Sequence, residues 1–292
     1  MGTRIFLFIV TNLAIVFTLS IIASLLGLSG YAGVGGSNLT ALAVFCLFWG
    51  MGGAFISLQL SRWIAKRATG VTLVDGRTGN ADLDWLHETV ARLTRQADLP
   101  MPEVGFYTSQ EVNAFATGPS KRRSLVAVSS GLMQSMRRDE VEGVLAHEVA
   151  HIANGDMVTM TLLQGVINAF VMFFARVIAS VLMRSGDSRH TSGGTYFLVV
   201  IVLQIVLGIL GSLVVNWFSR HREFRADHGG AALAGRERML GALRRLAANH
   251  ERVDTGQQAL ATMKINGTHG WAALFSTHPP LADRIAALER FR

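Results

Sequence analysis

Charge is distributed along this 292-residue chain in four blocks, and that alternation constrains the fold more than any average does. Residues 1–61 carry one charged side chain, Arg4, whereas residues 62–156 carry 11 basic and 12 acidic ones. Residues 157–218 hold only Arg176, Arg184, Asp187 and Arg189, and residues 219–292 return to 12 basic and seven acidic side chains. Apolar blocks of this length cannot be the water-facing surface of a soluble domain, so they predict membrane hairpins. The charged fraction of 16%, against about 25% in an ordinary soluble domain, is thus an average over two populations. A disordered chain and a disulfide scaffold are excluded. The lone Cys46 also rules out a cysteine-based metal site.

Each apolar block divides into two helical spans. Ile5–Leu28 and Leu39–Leu60 are free of charge and exceed the roughly 20 residues a bilayer helix needs. The glycine-rich turn Ser29–Asn38 joins them. Met157–Ala175 is charge-free and runs on past Arg176 to Met183; after a turn over 184–194, Thr195–Ser219 is charge-free again. The first run is too long for a signal-peptide core and has no small-residue cleavage site, so it is read as a span. The predicted organisation is a transmembrane hairpin over 1–61, a polar piece over 62–156, a second hydrophobic hairpin over 157–218 and a polar piece over 219–292.

The turn 29–38 has no Lys or Arg, whereas the stretch after the second span opens with Arg62, Lys66 and Arg67. By the positive-inside rule both polar pieces and both termini are cytoplasmic. Arg184 and Arg189 in the second turn run against that rule and leave open whether this hairpin crosses fully. The net charge of +7 is read as contact with anionic lipid headgroups, because no nucleic-acid motif accompanies it. The stretch Gly50-Met51-Gly52-Gly53 is read as close packing between the chain's own helices.

The chemistry is concentrated in residues 138–156. Val141, Val144, Leu145, Val149 and Ile152 recur at helical spacing, with Asp139 as an expected N-terminal cap and Asn154-Gly155 as a stop. On that helix His147 and His151 stand at i and i+4, so both imidazoles reach one point, and Glu148 flanks that face. This H-E-x-x-H spacing is the zinc metalloprotease pattern. Zinc needs a third protein ligand and an open position for water. The stretch after the last span offers Glu223 and Asp227 at i and i+4: one can ligate while the other accepts a ring N–H from a ligand histidine. His221 and His228 on the same stretch are weaker rivals, and His190 lies in the far turn. Two membrane crossings separate the two polar pieces, so Glu223 falls on the same side as His147.

These residues resemble the HtpX-type membrane zinc endopeptidases, relatives of the CAAX prenyl proteases. The resemblance rests on His147-Glu148-Val149-Ala150-His151 with Ala153-Asn154-Gly155-Asp156, and on Ser219-Arg220-His221-Arg222-Glu223-Phe224 with Ala226-Asp227. It extends to Asn113-Ala114-Phe115-Ala116-Thr117-Gly118, to Thr277-His278-Pro279-Pro280-Leu281 with Arg284-Ile285, and to Thr11-Asn12-Leu13-Ala14. It implies a mostly α fold with a small β-sheet: a zincin-like (gluzincin) catalytic domain attached to two transmembrane hairpins. It implies one Zn²⁺ per chain on His147, His151 and Glu223, Glu148 as catalytic base, and Asp227 behind a ligand histidine. It further implies a bacterial inner-membrane protein that cleaves misfolded or damaged membrane proteins at the cytoplasmic face under stress.

Glu103–Tyr107 and Leu125–Ser129 read as short strands, and Asp84–Ala97 as an amphipathic helix. Asn113–Thr117 alternates weakly up to the breaker Gly118-Pro119, and the resemblance makes it the edge strand that pairs with substrate. His278 and Arg284 are placed near the site by the resemblance, as contacts to the oxyanion or substrate, or as a structural ion pair or cap. No phosphate-binding loop is present, so no ATP is used, and the substrate must arrive unfolded. An intramembrane protease is disfavoured, because Arg137, Arg138, Asp139, Glu140 and Glu142 precede the motif. The alternative from a different class is a non-catalytic membrane scaffold or metal-binding transporter subunit. Its spans would be expected to carry more ionisable residues than Arg176.

Overall fold

A computed structural model describes residues 39–184, 193–256 and 276–290. The expected span Ile5–Leu28, the turn 29–38, Thr11–Ala14 and His190 lie outside the described residues. The described chain is mostly helical, with one small mixed sheet. Among the described residues three helices are long and apolar enough to cross a membrane: α1 (Leu39–Thr69), α5 (Asp156–Arg184) and α6 (Gly193–Ala234). Large apolar side chains such as Val44, Phe170 and Ile205 remain exposed on them, as lipid-facing positions require. At 42 residues α6 is about 63 Å long, roughly twice the hydrocarbon thickness, so a long helical continuation carries polar residues beyond the span.

The chain forms two compact units. One comprises Met1–Ser57 and Met160–Val215, and the other Leu58–Thr159 and Asn216–Arg292. In the first, Gly50 lies against the backbone of Gly165 and Ala169, where an added Cβ would sit 2.6 Å from the Ala169 nitrogen. Gly52, by contrast, meets nothing. Within the stretch, close packing thus involves Gly50 and also Met51, which lies against Gly165.

The second unit joins most of the two polar pieces. Its sheet has the order β1-β2-β4-β3, from β1 (Thr72–Leu73), β2 (Glu103–Tyr107), β3 (Ala114–Ser120) and β4 (Arg123–Ser129). β2 and β4 are parallel, and β3 runs antiparallel to β4 with Ala114 opposite Val128. Central β4 buries Leu125, Val126, Ala127 and Val128 in succession, the continuous apolar run of a strand covered on both faces. β3 is the edge. It does not stop before Gly118-Pro119 as expected but continues to Ser120 through a register shift between Thr117 and Ser120. Proline is tolerated on an edge, and Gly118 adopts φ +145° with its Cβ position 2.2 Å from the Arg123 carbonyl oxygen. Gly118→Ala is expected to destabilise this unit by about 1–3 kcal/mol, read as a lowered melting temperature of the detergent-purified chain.

Helix α2 (Ala81–Gln96) begins three residues before Asp84 because the Asn80 side chain accepts from the backbone N–H of Asp82 and Leu83. Its buried face, with Leu86, Val90 and Leu93, packs with Val126 and Val128 of β4 and with Leu132 of α3 (Ser130–Ser135). Helix α4 (Arg138–Asn154) carries the histidine motif. Its N-cap is Arg137 rather than Asp139: the Glu140 carboxylate accepts from the Arg137 N–H at 2.8 Å, while Asp139 sits in the first turn paired to the Arg137 guanidinium. Gly155, left-handed at φ 68°, ends it. Val141, Leu145, Val149 and Ile152 are each almost fully buried, at roughly 1.5–3 kcal/mol of transfer free energy apiece. Glu142 is buried too, held between Arg92 at 2.8 Å and Arg238 at 2.9 Å. Helices α7 (Arg236–Gly256) and α8 (Leu281–Arg290) complete the unit.

Candidate metal centre

One ligand atom from each of His147, His151 and Glu223 lies within 4.8 Å of the other two. The two Nε2 atoms are 3.1 Å apart; His147 Nε2 is 3.5 Å from Glu223 Oε2, and His151 Nε2 is 3.4 Å from Glu223 Oε1. Ligands about 2.05 Å from a tetrahedral zinc stand about 3.3 Å from one another, so these three donors have the spacing of a zinc site. Glu223 Oε1 is buried, and no hydrogen-bond donor among the described residues satisfies it. A buried carboxylate oxygen in that condition fits a cation.

The histidines converge because of what stands behind them. His147 Nδ1 is 2.9 Å from Asp227 Oδ1, and His151 Nδ1 is 2.6 Å from Asp156 Oδ2. Each carboxylate accepts the Nδ1–H, which turns Nε2 toward the common point. Arginines anchor both carboxylates: Arg284 donates to Asp227 at 2.8 and 2.6 Å, and Arg225 donates to Asp156 at 2.5 Å. Burial opposes charge on His151, but its hydrogen bond to Asp156 and the nearby Glu223 carboxylate outweigh that and push its pKa up to about 9. His147 is raised in the same way: burial lowers it, and bonding to Asp227 and Glu223 more than compensates. Burial also acts against the Arg284 charge, and Asp227 and Glu223 override it. The carboxylate cage favours positive charge at the two imidazoles, and the field that holds a proton there suits a divalent cation equally.

Glu223 and Asp227 stand one turn apart on α6, both about 1% exposed. They reach α4 because α6 is lined with small residues where the two helices meet. A Cβ at Gly230 would stand 3.1 Å from the His147 backbone nitrogen, and one at Gly229 would stand 2.8 Å from Ala150 Cβ. The sequence left open which of Glu223 and Asp227 faces the histidine Nε2 atoms. In the structure Glu223 does, and Asp227 takes the Nδ1 side of His147. His221 is exposed and bonds the Trp217 carbonyl through Nδ1, and neither it nor His228 joins the cluster.

A cleft of about 130 Å³ opens onto the cluster. Asn113, Glu148, His278 and Arg284 line it together with His147 and Glu223, and Leu132, Val144, Leu243 and Leu246 form its apolar side. Glu148 is half-buried. Asn113 precedes the first residue of β3, and its backbone bonds Ser129 in both directions. His278, with a side chain 61% exposed, places Nδ1 at 2.9 Å from Glu223 Oε2. Arg284 is buried in its ion pair with Asp227, the structural alternative that its sequence position had left open.

Asp156 and Arg225 were not singled out from the sequence. The available signal was Asp156 itself, one residue beyond the Gly155 stop in a quoted motif. Asp156→Asn keeps the size but loses the charge behind His151, and is expected to weaken zinc binding about 10–100-fold, measured by competition with a chromophoric chelator.

A family model described as peptidase family M48 matches residues 80–292. The chain is 50% identical over 290 residues to Protease HtpX of Idiomarina loihiensis, covering 99% of both proteins. It is 53% identical over 297 residues to the Protease HtpX homolog of Bacillus licheniformis, again covering 99% of each. Among solved structures, the crystal structure of S. mikatae Ste24p matches with a TM-score of 0.62 at 17% identity, over 96% of this chain and 66% of that one. That last similarity is one of fold.

Proposed function

The chain belongs to peptidase family M48 and is an HtpX-type membrane metalloendopeptidase, and on that premise we propose that His147, His151 and Glu223 hold one zinc ion at which Glu148 directs peptide hydrolysis. The observation that carries this reading is the convergence of the three donors within 4.8 Å at a cleft that Glu148 also lines. When bound there, zinc supplies Lewis-acid polarisation of the scissile carbonyl and the attacking water.

The chain's own residues do the rest. Glu148 accepts a proton from the attacking water and returns it to the leaving amine. The free edge of β3, beginning beside Asn113, pairs with an extended substrate segment and sets its register across the cleft. His278, at the rim, donates to the developing oxyanion through the ring nitrogen not directed at Glu223. Arg284 is a positioning residue: it holds Asp227, which fixes the ring of His147. An edge strand reads backbone rather than side chains, so the substrates are unfolded segments of varied sequence. Misfolded or damaged membrane proteins at the cytoplasmic face of the bacterial inner membrane are the class this anchored site serves.

Treating the detergent-solubilised full chain with a zinc chelator is expected to stop casein cleavage, and stoichiometric zinc to restore it. Cleavage that persists in chelator after the metal content has fallen to zero would refute the zinc-dependent reading. The scaffold alternative predicts no cleavage under either condition. The proposed orientation predicts that a cysteine placed at Ser188 is labelled from the periplasmic side. Labelling only from the cytoplasm would show that the second hairpin fails to cross.

A further inference from the structure

The β3–β4 turn carries three consecutive cations, Lys121, Arg122 and Arg123, all exposed. Its backbone is held: the Arg123 N–H donates to the Ser120 hydroxyl at 3.3 Å, and the Ser124 hydroxyl donates to the Lys121 carbonyl at 3.1 Å. Among the described residues no carboxylate pairs with Lys121 or Arg122. The turn is also tied to one place on α1. Arg123 Nη2 donates to Gln59 Oε1 at 3.0 Å, at the end of the apolar run of that helix.

From Gln59, helical spacing puts Arg62, Trp63, Lys66 and Arg67 on the same side of α1. Arg62 and Lys66 share a single acid, Glu103, at 3.2 and 3.1 Å. Arg67 lies over the Trp63 ring at 5.9 Å, and that ring is 58% exposed. Six cations therefore flank the Arg123–Gln59 contact, and among the described residues Glu103 is the one carboxylate paired with any of them, beside an exposed tryptophan at the apolar-to-polar junction of a membrane helix.

We propose that the β3–β4 turn and the Gln59–Arg67 face of α1 together form a binding site for the phosphate headgroups of anionic phospholipids. Indole rings settle at the headgroup level, and each Lys or Arg held there gains from a negative surface. The junction position favours a lipid over a nucleic acid, because Gln59 stands within a turn of the exposed apolar Leu60, where bilayer surface is the available partner. The turn belongs to the strand that forms the sheet edge, so headgroup binding would hold that edge at the membrane surface.

The full chain is reconstituted in phosphatidylcholine nanodiscs in which brominated phosphatidylglycerol or brominated phosphatidylcholine is varied as a quencher. The contribution of Trp63 is isolated by difference from Trp63→Phe. Brominated phosphatidylglycerol is expected to quench Trp63 at a mole fraction at least about 25-fold lower than brominated phosphatidylcholine, about fivefold for each of two or more cations. Lys121→Gln with Arg122→Gln should raise the required fraction by about fivefold per cation removed. Arg122→Gln alone, expected at about fivefold, serves if the double variant loses its melting transition. Equal quenching by the two lipids, or variants indistinguishable from the parent chain, would overturn the site. Relief of quenching by soluble glycerol phosphate at matched phosphate concentration would identify a free-phosphate site and overturn the lipid assignment.

Discussion

Glu148→Gln is expected to lower kcat/KM for casein cleavage by at least about 10³-fold while leaving zinc content at one per chain. General-base assistance contributes about 10²–10⁴-fold where the base has no substitute. The other carboxylates nearby are committed: Glu223, which also lines the cleft, faces the histidines, and Asp227, behind His147, is held by Arg284. Glutamine matches glutamate in shape, so packing around the half-buried side chain on α4 survives, and what is lost is the capacity to take a proton from water. Glu148 stands outside the three-donor cluster, which is why metal binding and hydrolysis should separate in this variant. Metal analysis and cleavage assays on the same preparation test this, and full turnover by the zinc-loaded variant would remove Glu148 from the mechanism.

Glu223→Ala is expected to cost the metal itself, weakening zinc binding by about 10²–10³-fold and abolishing cleavage with it. Sites of three or four ligands bind zinc with about 10–16 kcal/mol in favourable cases, which assigns each ligand roughly 3–4 kcal/mol. Glu223 also interacts with His147, His151, His278 and Arg284, and its removal leaves buried positive groups with less compensation. Glu223→Gln separates these effects, because the amide keeps the volume and one acceptor but loses the anionic ligand. Equilibrium dialysis against zinc and thermal melting, run on both variants, distinguish a lost ligand from a lost fold. Undiminished zinc affinity in a folded Glu223→Gln chain would rule it out as the third ligand.

Much of this site was legible in advance because its signals are local. A helix places i and i+4 on one face whatever surrounds it, so His147 with His151, and Glu223 with Asp227, were readable as pairs. Charge-free runs of bilayer length were equally plain, and α1, α5 and α6 occupy three of the four expected spans. The failures are also local in origin. Asp139 was expected as a cap because its type favours that position, but Glu140 reaches back to Arg137 and starts the helix there. Gly118-Pro119 was read as a break, yet an edge strand needs no donor from proline and absorbs the pair as a bulge.

What could not be read locally depended on how elements approach one another. Spacing presents Glu223 and Asp227 as equals. The close packing of α6 on α4 at Gly229 and Gly230 turns one toward the histidine Nε2 atoms and the other toward the Nδ1 side of His147. Asp156 meets His151 across the left-handed Gly155 that ends α4, and Arg284 meets Asp227 from 57 residues away. Residue type and periodicity established which groups exist, that they lie on helices, and where three long apolar helices run. The folded arrangement set which carboxylate faces the two Nε2 atoms and which backs the His147 ring, because that choice turns on ångström-scale contacts between segments that the linear chain keeps far apart.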